Sequence, residues 1–308
     1  MKEKKTKKRE QQTYNFHSKM GMLSEKFSGY VMVLPAMLFL LVFTFYPMVN
    51  LGYLSFFSWD MLSDKVFVGW DNYKKLLFYD INFKMALKNT AIYTVYVVVV
   101  VLILGLIFAC WMQKSSRINA IAQRIMFFPH ICSTVAISMV FQWLLDEEGL
   151  VNAVLKFFNL PVFDWLNDSA TALGAVIVVT LWKNAGYYAL ILLSALKAIP
   201  TEINEAAELD NAKPLRTFFK ITLPMVSPQL FFLLITITIG SFKVFESIRV
   251  LTQGGPGRAT DVLVYFIYRN VQELQVGYAA AAGSVLMIIL IILTIFYFRG
   301  LGRKVHYQ

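Results

Sequence analysis

Six long apolar segments dominate this sequence and decide what kind of fold it can adopt. A helix needs about 20 apolar residues to cross the hydrocarbon core of a bilayer, and each segment approaches that length. Of the 308 residues, 57% are hydrophobic and only 16% are charged, which is too apolar for a soluble domain of this size. We therefore predict an all-α integral membrane protein with six transmembrane helices, at 30–53, 90–111, 125–145, 171–193, 227–245 and 278–298.

The positions of the basic residues predict the orientation of these helices. A net charge of +10 could indicate a nucleic-acid ligand, but Lys and Arg crowd the N-terminus, the short connections and the C-terminus. More than twice as many lie on one side of the predicted spans as on the other, and the basic side of a membrane protein faces the cytoplasm. We therefore expect a lipid bilayer and no nucleic acid as partner. Both termini are predicted to be cytoplasmic, with 1–28 a basic tail and 301–308 a short C-terminal segment.

The only long polar segment between two predicted spans on the cytoplasmic side is 200–224, which reads PTEINEAAELDNAKPLRTFFKITLP. It predicts two short helices joined by a turn, since Pro200 and Pro214 each stand where a helix can begin without a backbone N–H. Small and acidic side chains on the first helix suit close contact with a basic partner surface. These residues are Glu205, Ala206, Ala207 and Asp210.

This segment resembles the EAA loop of permease subunits in binding-protein-dependent ABC importers, and within them the branch that takes up maltose and other sugars. The matching residues are Glu205, Ala206, Ala207, Asp210, Asn211, Phe218, Ile221, Leu223 and Pro224. Asn211 stands where the family usually has Gly, and Asn is the next most tolerant residue of the left-handed backbone that Gly would supply. The GWDNY, GGP and GYAAA segments at 69–73, 254–256 and 277–281 extend the resemblance over nearly the whole chain.

The resemblance implies a type I ABC importer permease fold over 29–300, in which 200–224 is the coupling loop that docks on an ATPase. It also implies a multi-pass location in a bacterial-type cytoplasmic membrane. The implied partners are a second homologous permease subunit, an ATPase dimer, an extracytoplasmic solute-binding protein and a sugar substrate. ATP and Mg would bind to the partner ATPase, and no cofactor is expected in this chain.

Motifs of the common enzymes are missing from this sequence. It contains no GxxxxGK[ST] phosphate loop, no GxSxG and no HExxH. The histidines, His17, His130 and His306, share no metal-ligand spacing with Cys110 and Cys132. We therefore expect neither a catalytic site nor a metal site, and energy for transport must come from a partner or a gradient.

Ionisable residues inside the predicted spans mark candidate functional positions, because charge is costly there. Lys183 lies about midway along the fourth span, and Asn184 and Tyr187 share its side of the helix. Together they offer hydrogen-bond donors and an aromatic plate, which suit a sugar. The alternative is that Lys183 extends to the membrane interface. Near the end of the fifth span, Glu246 could pair with either Lys243 or Lys183.

Comparison with maltose-type permeases implies eight sugar-contacting positions in this chain. They are His130, Lys183, Asn184, Tyr187, Gly240, Ser241, Val244 and Phe245. Several differ from the maltose type, and Lys183 differs most, so maltose itself is not the expected substrate. His130 follows Pro129, which removes a helical hydrogen bond and can open the backbone toward a cavity, although a packing role is the alternative.

The resemblance, together with the polar residues of the spans, predicts the permease subunit of an ATP-driven importer for a carbohydrate, specifically an oligosaccharide, and it implies a mechanism of alternating access. One alternative is a permease for glycerol 3-phosphate or a charged sugar, with Lys183 as the partner of the anion. The alternative from a different class is a self-sufficient carrier or channel, which would favour an internal repeat that the two halves of the sequence do not show. A membrane enzyme would need the catalytic motifs that are missing.

Overall fold

The computed structural model describes residues 30–114 and 116–302, which are mostly helical. They belong to two units, one ending at Leu54 and the other beginning at Ser55. The predicted tail at 1–28 and residues 303–308 of the predicted C-terminal segment lie outside the described residues.

The first unit is a single apolar helix, α1 (Tyr30–Leu54), of 25 residues. It includes one π-helical stretch at Leu41–Phe45. No residue of α1 is buried within the described chain. Its length and composition are sufficient to cross a membrane.

The second unit begins with a short antiparallel hairpin and continues with helices. The strands are β1 (Phe57–Ser58) and β2 (Val66–Phe67), with Phe57 opposite Phe67. The first five helices of this unit are α2 (Asp71–Lys74), α3 (Ile81–Met112), α4 (Arg117–Ile131), α5 (Thr134–Leu144) and α6 (Leu150–Phe157). A π-helical turn at Lys75–Tyr79 follows α2.

The remaining helices include the polar segment and the last two apolar spans. They are α7 (Ala172–Lys197), α8 (Thr201–Leu209), α9 (Pro214–Thr217), α10 (Leu223–Met225), α11 (Ser227–Phe242), α12 (Glu246–Leu251), α13 (Leu263–Gln272) and α14 (Val276–Phe296). π-Helical turns join α9 to α10 at Phe218–Thr222 and extend α14 at Tyr297–Leu301.

The predicted third span is where the structure departs most from the sequence expectation. Over the described residues, five helical segments are long and apolar enough to cross a membrane, and α4 with α5, bent by 98°, brings the number to six when the pair is counted as one span. The prediction of one continuous helix at 125–145 is therefore wrong. α4 begins earlier, at Arg117, and the chain is extended at Cys132 and Ser133 before α5 starts. Pro129 weakens the helix just before this break, since its ring nitrogen cannot donate a hydrogen bond.

α3 forms the centre of the second unit because one of its faces is buried along almost its whole length. Its buried residues recur every three or four positions, from Phe83 through Val97 and Val101 to Met112, which is the spacing of one helical face. This face packs against α7 and α11. Within the run of valines at 97–101, Val97 and Val101 are buried in this core and Val99 is exposed.

Asp80 fixes the N-terminal end of α3. Its carboxylate accepts hydrogen bonds from the backbone N–H groups of Asn82 and Phe83, so α3 begins nine residues before the predicted span. The second carboxylate oxygen accepts a 2.6 Å hydrogen bond from the hydroxyl of Tyr278, at the start of α14. Beside it, Gly277 lies so close to β1 that an added Cβ would overlap the carbonyl of Phe57. The GYAAA segment therefore begins a helix that needs close backbone contact.

The connection between α12 and α13 is held by buried and half-buried polar groups. The Asn89 side-chain amide donates to the carbonyls of Arg258, at 3.1 Å, and Asp261, at 3.0 Å. The carboxylate of Asp261 is buried and lies 2.6 Å from a guanidinium nitrogen of Arg269. The hydroxyl of Thr90 accepts a hydrogen bond from the N–H of residue 263. These contacts attach the connection to α3 and α13.

Candidate functional site

A cavity of about 510 Å³ lies between α3, α5, α7 and the connection from α11 to α12. Two interruptions of helical backbone border it, one between α4 and α5 and the other at 243–245. In membrane transporters, irregular backbone at membrane depth is tolerated where it lines a cavity. The volume lies within the range of about 300–1,000 Å³ that is typical of ligand pockets.

Seven of the eight predicted substrate residues line this cavity. They are His130, Lys183, Asn184, Gly240, Ser241, Val244 and Phe245. The eighth, Tyr187, does not line it and instead lies behind His130. The two rings stack with their centroids 3.9 Å apart and their planes within 2° of parallel. Tyr187 therefore supports a residue of the cavity wall.

Lys183 lies on the cavity wall, but its ammonium group contacts the backbone of the broken helix. The nitrogen donates to the carbonyls of Cys132 at 2.7 Å, His130 at 3.1 Å and Pro129 at 3.4 Å. Within 30–114 and 116–302, Glu246 forms an ion pair with neither Lys183 nor Lys243. Both predicted pairings are therefore wrong. Lys183 instead takes its acceptors from backbone carbonyls at the end of α4.

Asn184 fixes which nitrogen of His130 carries hydrogen. The Asn184 amide nitrogen donates to the carbonyl of Thr180 at 3.1 Å, so its oxygen faces His130. That oxygen lies 3.2 Å from Nδ1 of His130, which must donate. In a neutral imidazole, Nε2 is then the hydrogen-bond acceptor. His130 can therefore accept a hydrogen bond from a hydroxyl group in the cavity.

Several polar lining residues were missed by reasoning from the sequence. Tyr93 on α3 and Thr180 on α7 share a hydrogen bond of 2.9 Å across the cavity wall, and Thr134 and Tyr188 also line it. Thr180 precedes Lys183 by three positions and Asn184 by four, so helical spacing could have found it. Tyr93 lies in an apolar stretch of α3 and carries no local signal, because its role depends on a helix almost 90 residues further along the chain.

The α11 wall of the cavity is open at Gly240. No atom lies within 4 Å of the position that a Cβ would take there. At the other side of the interruption, the ring of Phe245 packs edge-to-face against Tyr268 with centroids 5.0 Å apart. This wall thus combines a gap with an aromatic side chain whose position is fixed.

The predicted coupling loop folds as two helices, α8 and α9, with Asn211 between them. Asn211 has a left-handed backbone, with φ of 49°. Its N–H donates to the carbonyl of Glu208, and the next N–H, of Ala212, donates to the carbonyl of Ala207. This Schellman ending is the arrangement for which Gly or Asn is preferred.

α8 and the residues just after it expose four of the five predicted contact residues. Glu205 and Ala206 are exposed on α8, and Asp210 and Asn211 are exposed beyond its last residue, Leu209. Ala207 is buried against the chain itself and lines a second cavity with Cys110 and Phe218. Of the two adjacent alanines, only Ala206 therefore offers its side chain to another protein.

Residues 101–307 match the family described as binding-protein-dependent transport system inner membrane component. The chain belongs to this family. The match begins within α3 and includes the segment at 200–224 and most of the cavity lining, although Tyr93 and Val97 lie before it. The predicted resemblance to sugar-type permease subunits of ABC importers is confirmed.

Curated relatives span almost the whole permease. This chain is 34% identical over 277 residues to the probable ABC transporter permease protein YurN of Bacillus subtilis, and the match covers 88% of this chain and 94% of YurN. It is 33% identical to the sn-glycerol-3-phosphate transport system permease protein UgpA of Escherichia coli, covering 91% and 95%. It is 30% identical to the arabinooligosaccharides transport system permease protein AraP of Halalkalibacterium halodurans, covering 91% and 90%.

A solved structure shares the fold of the permease. It is a crystal structure of a bacterial ABC transporter involved in the import of the acidic polysaccharide alginate, with a TM-score of 0.80 and 24% identity. The superposition covers 92% of this chain and 98% of that one. The predicted all-α, six-span type I importer permease fold is therefore confirmed.

Proposed function

We propose that this permease is the transmembrane subunit of an ATP-driven importer for a carbohydrate, most specifically an oligosaccharide, which it moves inward by alternating access. The observation that carries this proposal is the cavity between the two helix interruptions. Its wall contains hydroxyl, amide and imidazole groups as well as aromatic rings. Sugars present hydroxyls at the ring edge and apolar C–H groups on the ring face, so this combination matches them.

The exposed α8 face supports docking on an ATPase subunit. Glu205 and Asp210 offer carboxylates beside the small side chain of Ala206, so a partner helix or cleft with basic residues can approach closely. ATP and Mg would bind to that partner, and each ATPase of a dimer would receive one permease loop. A second homologous permease would supply the other loop, and both termini would lie on the same cytoplasmic side.

An extracytoplasmic solute-binding protein would deliver the sugar at the opposite side. One relative in the family carries an oligosaccharide in its name, the arabinooligosaccharide permease protein AraP. The second structural match is a bacterial alginate ABC transporter in complex with a pentasaccharide-bound periplasmic protein. These proteins support the substrate class, while the binding protein of this transporter would select the particular sugar.

The deciding experiment purifies the permease from its native membrane and identifies the proteins that remain bound to it. A second permease, an ATPase and a solute-binding protein are expected. The purified assembly is then placed in liposomes, and uptake of the sugar that its binding protein retains is measured with and without ATP. Isolation of the permease alone, with uptake that needs no ATP, would support a self-sufficient carrier and contradict the proposal.

Coupling through α8 has its own test with charge reversals on the same helix. Glu205→Lys should abolish ATP-driven uptake or release the ATPase while the helices remain folded. Glu202→Lys is the matched control, because Glu202 is also exposed but lies in the first turn of α8. Equal uptake by both variants and wild type would refute docking at Glu205.

An anionic substrate is the second candidate, and it has two observations in its favour. Lys183 and Lys243 both line the cavity. The relative UgpA is named for sn-glycerol-3-phosphate transport. Uptake of a neutral oligosaccharide, measured in competition with a sugar phosphate or a uronic acid oligosaccharide, distinguishes the two candidates.

A further inference from the structure

The break between α4 and α5 leaves backbone acceptors at the level of the cavity. α4 ends at Ile131, and both Cys132 and Ser133 have extended backbone with ψ near 140°, at 147° and 134°. The last carbonyls of any helix lack an intrahelical N–H partner. Where water is scarce, such groups need another donor, so a 98° bend at this depth requires a specific partner.

Lys183 supplies that partner from α7. An ammonium group has three N–H donors, and three carbonyl oxygens surround it, those of Cys132, His130 and Pro129. A cation at the C-terminal end of a helix is also favoured by the helix dipole. Every donor of Lys183 is therefore used by the end of α4, and an anionic group would have to displace a carbonyl to bind there.

Close packing of α4 on α7 sets the register that makes these contacts. Gly186, one turn beyond Lys183, lies so near α4 that an added Cβ would overlap the carbonyl of Met126. Lys183 lies three residues before Gly186, while the carbonyls that it contacts lie three to six residues after Met126, so the two helices run past each other in opposite directions. The glycine contact therefore brings the lysine directly opposite the interrupted backbone.

We propose that Lys183 is a positioning residue for the cavity: it caps the end of α4, holds the bend to α5 and so places His130 and Thr134 on the cavity wall. The expected effect on uptake rests on the proposed transport function, whereas the capping of α4 rests on the backbone contacts of Lys183. It assigns no substrate charge to Lys183. The lysine that the sequence marks as the natural partner of an anion is thus engaged by the protein itself.

Lys183 and Lys243, the two lysines of the cavity lining, therefore have different roles. Lys243 lies in the interruption after α11, where neither Lys243 nor the nearby Glu246 forms an ion pair among the described residues. Charge recognition, where it occurs, would therefore depend on Lys243 and Glu246. Removing the Lys183 charge should disturb the fold of the break, while removing the Lys243 charge should not.

The test compares Lys183→Met, Lys183→Arg and Lys243→Met in the intact transporter assembly in lipid nanodiscs. Methionine is about as long as lysine without its donors, arginine keeps a cationic donor, and the Lys243 variant removes a cavity charge without touching the cap. Backbone hydrogen exchange is followed by mass spectrometry in peptides spanning 125–137, with peptides from α3 as the internal reference. Uptake of a neutral oligosaccharide that the binding protein retains, and its inhibition by a uronic acid oligosaccharide as the anionic analogue, are measured on the same assemblies.

We expect Lys183→Met to accelerate exchange at 125–137 by about tenfold or more, which is the size expected for losing hydrogen bonds to a charged group. Uptake should fall, and the inhibition ratio of anionic to neutral sugar should stay unchanged. Lys183→Arg should restore much of the protection, and Lys243→Met should leave it as in wild type.

Two results would overturn the proposal. One is wild-type exchange at 125–137 in Lys183→Met. The other is a loss in that variant of inhibition by the anionic analogue alone. If no assembly transports any sugar, the proposed function fails, yet the exchange data still decide whether Lys183 holds the break.

Discussion

The imidazole of His130 lies flat on the phenol ring of Tyr187, with ring centroids 3.9 Å apart and planes 2° from parallel. Asn184 holds the same imidazole from its edge through Nδ1 at 3.2 Å. His130 is thereby fixed by one contact on its face and another on its edge. Its free edge can present Nε2 to a ligand in one orientation, which reduces the entropy that binding would otherwise cost.

Substitutions at Tyr187 should affect transport through His130. Tyr187→Phe keeps the stacked ring and should transport like wild type. Tyr187→Leu removes it and should raise the KM for uptake about two- to tenfold, since aromatic pairs contribute about 0.5–1.5 kcal/mol. Uptake in proteoliposomes measures the KM of each variant. Equal KM values for the Leu and Phe variants would show that the stack does not position His130.

Filling the gap at Gly240 should block the cavity without unfolding the helix. Gly240→Leu adds a side chain where no atom lies within 4 Å, and leucine favours a helix over glycine by roughly 1 kcal/mol. We expect an unchanged or higher melting temperature and uptake reduced by more than about tenfold. Gly174→Leu is the control, because Gly174 also has open space around its Cβ position but lies outside the cavity lining. Full uptake by Gly240→Leu would exclude this cavity from the substrate path.

A methyl group at Gly186 should instead destabilise the fold. Gly186→Ala places a Cβ against the carbonyl of Met126, so α4 and α7 must separate. Overpacking of this kind costs about 1–3 kcal/mol. The melting temperature in detergent should fall by several degrees. Gly105→Ala is the graded control, since its nearest neighbour, a methyl carbon of Leu192, is 3.4 Å away. A melting temperature for Gly186→Ala at or above that of Gly105→Ala would contradict the close contact.

The buried carboxylate of Asp261 should make stability depend on pH in a defined direction. Burial raises the pKa of Asp261 above its ordinary value of 3.8, and the opposing effect of Arg269 does not cancel the rise. The folded chain therefore binds this proton more tightly than the unfolded chain. The resulting stabilisation is complete below pH 3.8 and is lost as pH rises through the folded pKa.

Asp261→Asn removes this titration. The melting temperature of the variant minus that of wild type should therefore increase as the pH rises from below 3.8 to neutral. Each unit by which the pKa is raised corresponds to about 1.4 kcal/mol. Thermal unfolding of both proteins across the pH series measures the difference. A difference that moves in the other direction would show that the ion pair with Arg269 outweighs burial.

Much of this architecture is readable from sequence because its causes are local. The apolar segments predict the spans, and the chemistry of Pro200, Asn211 and Pro214 predicts the helix boundaries of the coupling loop. Seven of the eight predicted substrate residues line the cavity; helical spacing places Lys183 and Asn184 on one face, and the family resemblance supplied the other five. The roles of Lys183 and Tyr187 were not predicted from the sequence. Lys183 donates hydrogen bonds to backbone carbonyls more than 50 residues away, and Tyr187 supports a histidine from another helix.

The sequence alone therefore determined that this protein spans a membrane several times and belongs to the importer permease family, with a segment at 200–224 that resembles its coupling loop. Hydrophobicity, charge and turn preference act over a few residues and need no knowledge of the fold. Only the tertiary structure decided that α4 and α5 are separate helices and that Lys183 caps the first of them. The carbonyls released by that bend are acceptors with no sequence signature of their own, and their donor is identified only once α4 and α7 are packed together.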